Sequence, residues 1–118
     1  MKRNHRTLKA WRLGIDLVEF VYRTTRLFPH EELFGLTSQM RRAAVSVPAN
    51  IAEGFARPGT KELIRFIGIA AGSLSELDTH VEIAHRLGYL QDLTLAQRID
   101  ELAAVVMGLD ASLKRRLR

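Results

Sequence analysis

Apolar residues in the first quarter of the chain recur every three or four positions. The series consists of Leu8, Trp11, Ile15, Val18, Tyr22, Thr25 and Phe28. An α-helix makes one turn in 3.6 residues, so this spacing places the series on one helix face. Further apolar residues widen that face, namely Leu13, Leu17, Phe20, Val21 and Leu27. No segment alternates apolar and polar residues as a half-buried strand does. The pattern therefore favours a fold of packed helices.

Three later segments repeat this helical spacing and carry helix boundary signals. Pro29 would end the first helix, and Gly88 would stop the third. The sequence TLAQ, which begins at Thr94, has the capping-box pattern of a helix start. Helices are predicted near residues 8–28, 37–56, 60–87 and 94–116. Four helices of similar length with short connections predict an all-α, antiparallel, up-down-up-down four-helix bundle.

The length of 118 residues predicts a single domain, 1–118, with residues 1–7 as a basic N-terminal segment. No apolar run is long enough to span a membrane, and no apolar stretch of a secretory signal follows the basic start. The chain has no cysteine, which excludes disulfides and thiolate catalysis and fits a reducing compartment. We therefore expect a cytoplasmic protein with no membrane contact.

Two stretches of the sequence carry a resemblance to a known family. They read FPHEELFGLTSQMRRAAVSVPANIAEGFAR and GSLSELDTHVEIAHRLGYL. The densest signal lies in Gln39, Arg42, Ser46, Pro48, Asn50, Glu53, Gly54, Gly72, Ser73 and Glu76. This pattern resembles the four-helix-bundle proteins encoded in intervening sequences of bacterial large-subunit (23S) ribosomal RNA genes. The resemblance covers about residues 8–113, and the accessory variability protein of diversity-generating retroelements is a related branch.

The resemblance implies a four-helix bundle, assembly as a ring of five copies, and a role in nucleic-acid binding without enzymatic activity. In the related branch, the ring is a basic barrel that partners a reverse transcriptase. We therefore expect a non-enzymatic homo-oligomer that binds RNA or DNA. The alternative is a protein-interaction scaffold or accessory subunit without direct nucleic-acid contact. Independently, the first helix has a second apolar stripe beside the Leu8–Phe28 series, formed by Leu13, Leu17, Phe20, Val21 and Leu27. One core face does not need both stripes, so the surplus suggests a second contact surface.

The excess positive charge of the chain lies at its two ends. Residues 1–12 and 114–118 hold nine of the 18 basic residues and no acidic residue. In the predicted bundle, both chain ends and the turn between helices two and three lie at the same end. The predicted nucleic-acid contacts are Lys2, Arg3, Arg6, Lys9, Arg12, Arg57, Lys61, Arg65, Lys114, Arg115, Arg116 and Arg118. Such a cluster is the electrostatic pattern expected for phosphate binding.

A polar stripe follows the second helix and continues on the third. Its members are Gln39, Arg42, Ser46, Asn50 and Glu53, followed by Ser73 and Glu76. One interpretation is a polar seam between helices or subunits, for example with Arg42 beside Glu76. The other interpretation is a row of side chains that bind a ligand or take part in catalysis. The spacing alone is compatible with both.

Three other features need an explanation. Pro48 lies within the second helix, where it predicts either a kink or a restart capped by Ser46. Gly68 and Gly72 form a small-xxx-small pattern, which predicts close approach to a neighbouring helix. Trp11 belongs to the core or to a subunit interface.

A single Glu-x-x-His pair, Glu82 with His85, has the spacing found in di-iron bundles. Those sites need two such pairs and two further glutamates, so the ligand set is incomplete. No nucleophile pattern frames any serine. We therefore expect no metal, no cofactor and no catalytic residue.

Overall fold

The computed structural model describes residues 4–117. Its helices are α1 (Lys9–Thr25), α2 (Leu36–Ala56), α3 (Thr60–Arg86) and α4 (Thr94–Arg115). Short 3-10 turns occupy Asn4–Thr7 and His30–Glu32, and residues 4–117 contain no strand. The predicted all-α fold class is confirmed, with four helices close to the predicted bounds.

The four helices pack in a closed order in which each contacts two others. α1 packs on α2 and α4, and α3 packs on the same two helices. Within residues 4–117, the diagonal helix pairs do not pack against each other. Ser46 on α2 meets Ser73 on α3, whereas the later Gly54 meets the earlier Phe66, so these two helices run in opposite directions. The predicted antiparallel bundle is confirmed.

The core is one continuous cluster to which every helix contributes. Its most deeply buried side chains include Leu17, Val21, Met40, Val47, Ile51, Ile67, Leu77, Val81, Leu95, Leu102 and Val106. Full burial of a leucine or valine side chain stabilises a fold by about 1.5–3 kcal/mol relative to exposure. The position of each helix is therefore set mainly by the apolar stripe it places in this cluster.

The face of α1 that enters the core differs from the predicted one. The buried line consists of Ala10, Gly14, Leu17, Val21 and Thr25. Ile15 and Tyr22, both predicted on the core face, are 42% and 36% exposed. Gly14 lets Pro48 of α2 approach closely on that line, which a larger side chain at this position would prevent. Trp11 itself is half-buried at the edge of the core.

Local hydrogen bonds account for where α1 and α3 end. α1 ends at Thr25, three residues before the predicted end, and the Thr25 hydroxyl donates to the Val21 carbonyl at 2.8 Å. α3 ends as predicted before Gly88, whose φ of +80° is favourable for glycine. The Tyr89 N–H then donates to the Ala84 carbonyl at 2.9 Å, which completes a Schellman motif.

The capping box predicted at Thr94 is wrong. Leu93 occupies the cap position of α4, and no side chain caps the helix from there. The Thr94 N–H instead donates to the Asp92 carboxylate at 3.1 Å. A carboxylate two residues earlier thus satisfies a free N–H at the helix start.

α2 continues without interruption through Pro48, so the predicted restart of the helix is wrong. Ser46 does not cap a new turn, because its hydroxyl is hydrogen-bonded to the Ser73 hydroxyl. Pro48 is buried in contact with α1 rather than exposed at a break.

The helices approach each other closely at glycines other than the predicted pair, Gly68 and Gly72. A Cβ placed on Gly68 or Gly72 would meet nothing within 4 Å, so the predicted packing role of this pair is wrong. A Cβ on Gly54 would lie 2.9 Å from the Cβ of Phe66. α2 and α3 therefore approach each other closely at Gly54. None of the helices in residues 4–117 combines the length and apolar character that a membrane span requires.

Candidate nucleic-acid interface

The antiparallel fold brings three separated basic segments to one end of the bundle. α1 and α3 begin at this end, and α2 and α4 finish there. The Arg98 guanidinium, near the start of α4, lies 4.4 Å from the centre of the Phe20 ring, which is in the second half of α1. This contact is the one expected when α1 and α4 run in opposite directions. The described predicted contacts at this end, hereafter the basic end, are Arg6, Lys9, Arg12, Arg57, Lys61, Arg65, Lys114, Arg115 and Arg116.

All nine side chains of the basic end are exposed. The bundle measures 47 × 26 × 20 Å, so these cations share an end with a cross-section of about 26 × 20 Å. Lys2, Arg3 and Arg118, the other three predicted contacts, lie outside the described residues. The grouping of charge predicted from topology is thus present for the described residues, whereas nucleic-acid contact by these residues stays a prediction.

Three of the nine cations are neutralised by carboxylates on their own helices. The ion-pair distances are 2.9 Å for Arg57–Glu53, 3.2 Å for Arg65–Glu62 and 2.8 Å for Lys114–Asp110. A fourth acid, Asp16, lines one surface groove with Lys9 and Arg12 but forms no ion pair within residues 4–117. In residues 4–117, the other six cations form no ion pair: Arg6, Lys9, Arg12, Lys61, Arg115 and Arg116. The basic end therefore keeps a surplus of unpaired positive charge.

Aromatic rings hold several of these guanidinium groups in place. Arg6 lies 5.3 Å from the centre of the Trp11 ring, and Arg65 lies 4.5 Å from that of Phe66. Arg57 also contacts Phe66, at 5.4 Å. Contacts of this kind are worth about 0.5–1 kcal/mol at exposed sites. They reduce the freedom of the side chains without removing their charge.

The opposite half of the bundle has a different charge balance. Arg23 pairs with Glu19 at 3.0 Å, and Arg86 pairs with Glu82 at 2.8 Å. Three exposed carboxylates, Asp78, Asp100 and Glu101, form no ion pair within the described chain. Arg26, Arg42 and Arg98 are also exposed in this half and form no ion pair within residues 4–117, so this half mixes both signs while the basic end has the surplus of positive charge. A polyanion approaching the molecule would be attracted to the basic end.

Part of the basic end also has a structural role. Lys114 and Arg115 lie in the last turn of α4, where positive charge offsets the partial negative charge of the free carbonyls. Lys9 and Lys61 lie instead at helix starts, where a cation gains nothing from the helix dipole. Their placement is therefore not explained by helix stability.

Ser46 and Ser73 connect α2 to α3, and Asn50 supports Ser46 from within α2. The hydroxyls of Ser46 and Ser73 are 2.7 Å apart, and both side chains are half-buried. The Asn50 amide donates to the Ser46 carbonyl at 2.8 Å and to its hydroxyl at 2.9 Å. This network satisfies polar groups between two closely packed helices.

Gln39 and the charged members of the stripe lie on the surface of the single chain. Gln39, Arg42 and Glu76 line an open groove of about 400 Å³ beside Ser46. In the described residues, no ion pair joins Arg42 to Glu76. Glu53, the remaining charged member, pairs with Arg57. The single chain thus contains the serine–asparagine part of the predicted seam, while a role for the exposed part between subunits or in binding stays a prediction.

Glu82 and His85 are not arranged as metal ligands. Arg86 donates a hydrogen bond to the Glu82 carboxylate, and this contact lowers the pKa of Glu82. Within residues 4–117, no group of three potential ligands is close enough to hold a metal ion.

The sequence patterns missed an apolar surface between α1 and α2. Phe34 is 93% exposed, and Val45 is 42% exposed. Together with Tyr22 and Leu33, they line a groove of about 630 Å³. The α1 residue of this groove, Tyr22, belongs to the apolar series that was predicted to face the core, so the position of the surface depends on how α1 is rotated in the bundle.

Comparison with known proteins relates most of the chain to a family. The family model for the 23S rRNA-intervening sequence protein matches residues 6–110. No curated protein matches the chain.

Proposed function

The chain belongs to the 23S rRNA-intervening sequence protein family, and from this premise we propose that it is a non-enzymatic homo-oligomer that binds nucleic acid through its basic end. The observation that carries the proposal is the set of six exposed cations at one end of the bundle that form no ion pair within residues 4–117. Phosphates are the ligands that such a surface suits. Four of the six are arginines, which can donate two parallel hydrogen bonds to one phosphate.

The proposed binding mode is contact with the phosphate backbone. The nine cations come from the starts of two helices and the ends of two others rather than from one exposed helix surface. Within residues 4–117, this arrangement does not present one helix lengthwise to DNA, as proteins that read base sequence with a helix in the major groove do. We therefore expect little sequence preference and a steep salt dependence, since each phosphate neutralised in a duplex contributes about 0.9 to the slope of log K against log salt.

Assembly is the second part of the proposal. The exposed apolar residues between α1 and α2 support self-association, because monomers rarely expose large contiguous apolar patches. A ring, with five copies as the family resemblance implies, would repeat the basic end around one rim. Several weak contacts along one polyanion would then act together and raise the overall affinity.

The test removes the terminal cations. Residues 114–118 are deleted, and Lys2, Arg3 and Arg6 are replaced by alanine. We expect weaker binding of both RNA and duplex DNA, with a shallower dependence on salt. Unchanged affinity and salt slope in a variant with intact assembly would contradict the basic-end proposal.

A scaffold that binds only another protein is the competing function, and the exposed apolar groove is the observation that favours it. The two functions differ in their ionic response. Nucleic-acid binding through phosphates weakens strongly as salt rises, whereas a largely apolar protein contact changes little. Nucleic-acid titrations across salt therefore distinguish the two.

A further inference from the structure

The groove between α1 and α2 combines apolar and basic side chains. Phe34 is its most exposed member, and Arg41 and Arg42 are its only charged ones. Arg41 is held in place, because its Nε donates to the Thr25 hydroxyl at 2.9 Å and its guanidinium lies 4.5 Å from the Tyr22 ring centre. The described lining of this groove contains no acidic residue. It is therefore an apolar surface with a fixed positive edge.

The groove between α3 and α4 has the opposite charge. Buried Leu74, Ile99 and Val106 line it together with the small residues Ala71 and Ala103, which leave a space of about 360 Å³. Asp78, Asp100 and the 68%-exposed Met107 also line it. The described lining includes no basic residue. This groove is therefore an apolar depression with a negative edge.

The two grooves lie at the same height along the bundle. Ser46 meets Ser73 across the antiparallel α2–α3 pair, so Arg41, five residues before Ser46, is level with Asp78, five residues after Ser73. The grooves nevertheless open on different faces, because α1 does not contact α3 and α2 does not contact α4 in residues 4–117. One molecule cannot bring its own two grooves together, whereas two side-by-side copies can.

We propose that the α1/α2 groove of one copy docks on the α3/α4 groove of the next. The exposed Val45 would face the apolar depression, and Arg42 would lie near Asp78 and Asp100. Contact of either groove with itself would place like charges together, which is unfavourable. The contact is therefore head-to-tail, and such contacts form a ring when the rotation between copies closes. This inference rests on the self-association in the proposed function and specifies its surfaces.

The experiment uses two full-length variants, each with one disabled surface. Val45→Arg disables the α1/α2 groove, and the double variant Asp78→Arg/Asp100→Arg disables the α3/α4 groove. These positions are exposed, so the fold should be kept, which thermal melts would verify. Leu27→Arg and Glu101→Arg are the matched controls, since both residues are exposed and neither lines a groove of the pair.

Sedimentation velocity measures assembly at micromolar concentration. We expect each groove variant to weaken self-association by at least about tenfold, with both controls unchanged. An equal mixture of the two groove variants should form a one-to-one dimer that grows no further, because each copy retains the surface that the other lacks. No other arrangement of these two surfaces predicts that complementation.

Three results would overturn the inference: groove variants that assemble normally, a mixture that does not form the dimer, or a monomeric wild-type chain. Nucleic-acid affinity of the same samples is measured separately. Failure of the head-to-tail contact with retained salt-dependent binding would leave the basic end as the binding surface. Loss of nucleic-acid binding with normal complementation would instead reject that surface and leave the docking inference in place.

Discussion

Gly14 lies directly against Pro48 where α1 crosses α2. A Cβ placed on Gly14 would come within 3.2 Å of the Cβ of Pro48 and 3.4 Å of its Cδ. The proline ring thus fills the space that a side chain on α1 would occupy. A proline inside a helix costs about 3 kcal/mol. Burial of its ring against Gly14 partly offsets that cost and fixes the separation of the two helices.

We predict that Gly14→Leu destabilises the protein by about 1–3 kcal/mol or more, because the added side chain overpacks the contact with Pro48. Gly108 is the matched control, since it also lies inside a helix but has open space around it. Gly108→Ala should stabilise the protein by about 0.5–1 kcal/mol through helix propensity. Chemical denaturation measures both changes, and equal effects of the two substitutions would contradict the packing role of Gly14.

The four helices were predictable because each is long and keeps its 3.6-residue period. The rotation of α1 was not predictable from hydropathy, because two neighbouring stripes of this helix are both apolar. The choice between them depends on Gly14, whose small size matters only when Pro48 of α2 is in place. The packing roles of Gly54, Gly68 and Gly72 could not be predicted for the same reason, because the spacing of glycines does not show which of them faces another helix.

The location of the basic end was predictable from charge and topology together. The distinction between paired and unpaired cations was also accessible, since Glu53–Arg57 and Asp110–Lys114 have the i,i+4 spacing of helix ion pairs. The apolar groove was less accessible, because Phe34 lies in a connection and Val45 faces outward only in the observed rotation of α2. A surface formed by two helices depends on how each helix is rotated about its own axis. The apolar pattern of one helix alone does not determine these rotations.

The second prediction separates the two halves of the polar stripe. Ser46→Ala should lower the free energy of unfolding by about 1 kcal/mol, because it removes the hydrogen bonds of Ser73 and Asn50. Glu76→Ala should change the stability of the dissociated chain by no more than about 0.5 kcal/mol, because this side chain is exposed. Denaturation under dissociating conditions measures both. A large loss in the Glu76 variant alone would attribute stability to its contact with the buried His80, whose Nε2 lies 4.0 Å from the Glu76 carboxylate, and would contradict this prediction.

The third prediction concerns the link between Tyr89 and Glu32. The Tyr89 hydroxyl donates to the Glu32 carboxylate at 2.9 Å, and this hydrogen bond raises the pKa of Tyr89 above its ordinary value of 10.0. A raised pKa means that the stabilisation is complete below pH 10.0 and is lost as the pH rises through the higher folded-state value. Tyr22→Phe leaves Tyr89 as the only tyrosine, so its absorbance titration should have a midpoint above 10.0.

The control for this titration is Glu32→Ala in the same background. Removal of the carboxylate should return the Tyr89 midpoint towards its ordinary value. An identical midpoint with and without Glu32 would show that the hydrogen bond does not control the titration.

The last prediction tests which cations of the basic end are available for phosphate. The triple variant Lys61→Ala/Arg115→Ala/Arg116→Ala removes cations without an ion-pair partner in the described chain. The triple variant Arg57→Ala/Arg65→Ala/Lys114→Ala removes the same amount of charge from residues paired with Glu53, Glu62 and Asp110. If unpaired cations contact the phosphates, the first variant should reduce the salt slope for duplex DNA by up to about 0.9 per residue.

The second variant should have a smaller effect on the slope, because an ion-paired cation must lose its carboxylate partner before it binds a phosphate. That loss offsets part of what each new phosphate contact contributes. Both variants carry the same net charge, so a purely long-range attraction would weaken equally in the two. Fluorescence anisotropy across a salt series gives the slopes. Equal slopes would therefore attribute binding to the overall charge of the basic end rather than to contacts by its unpaired side chains.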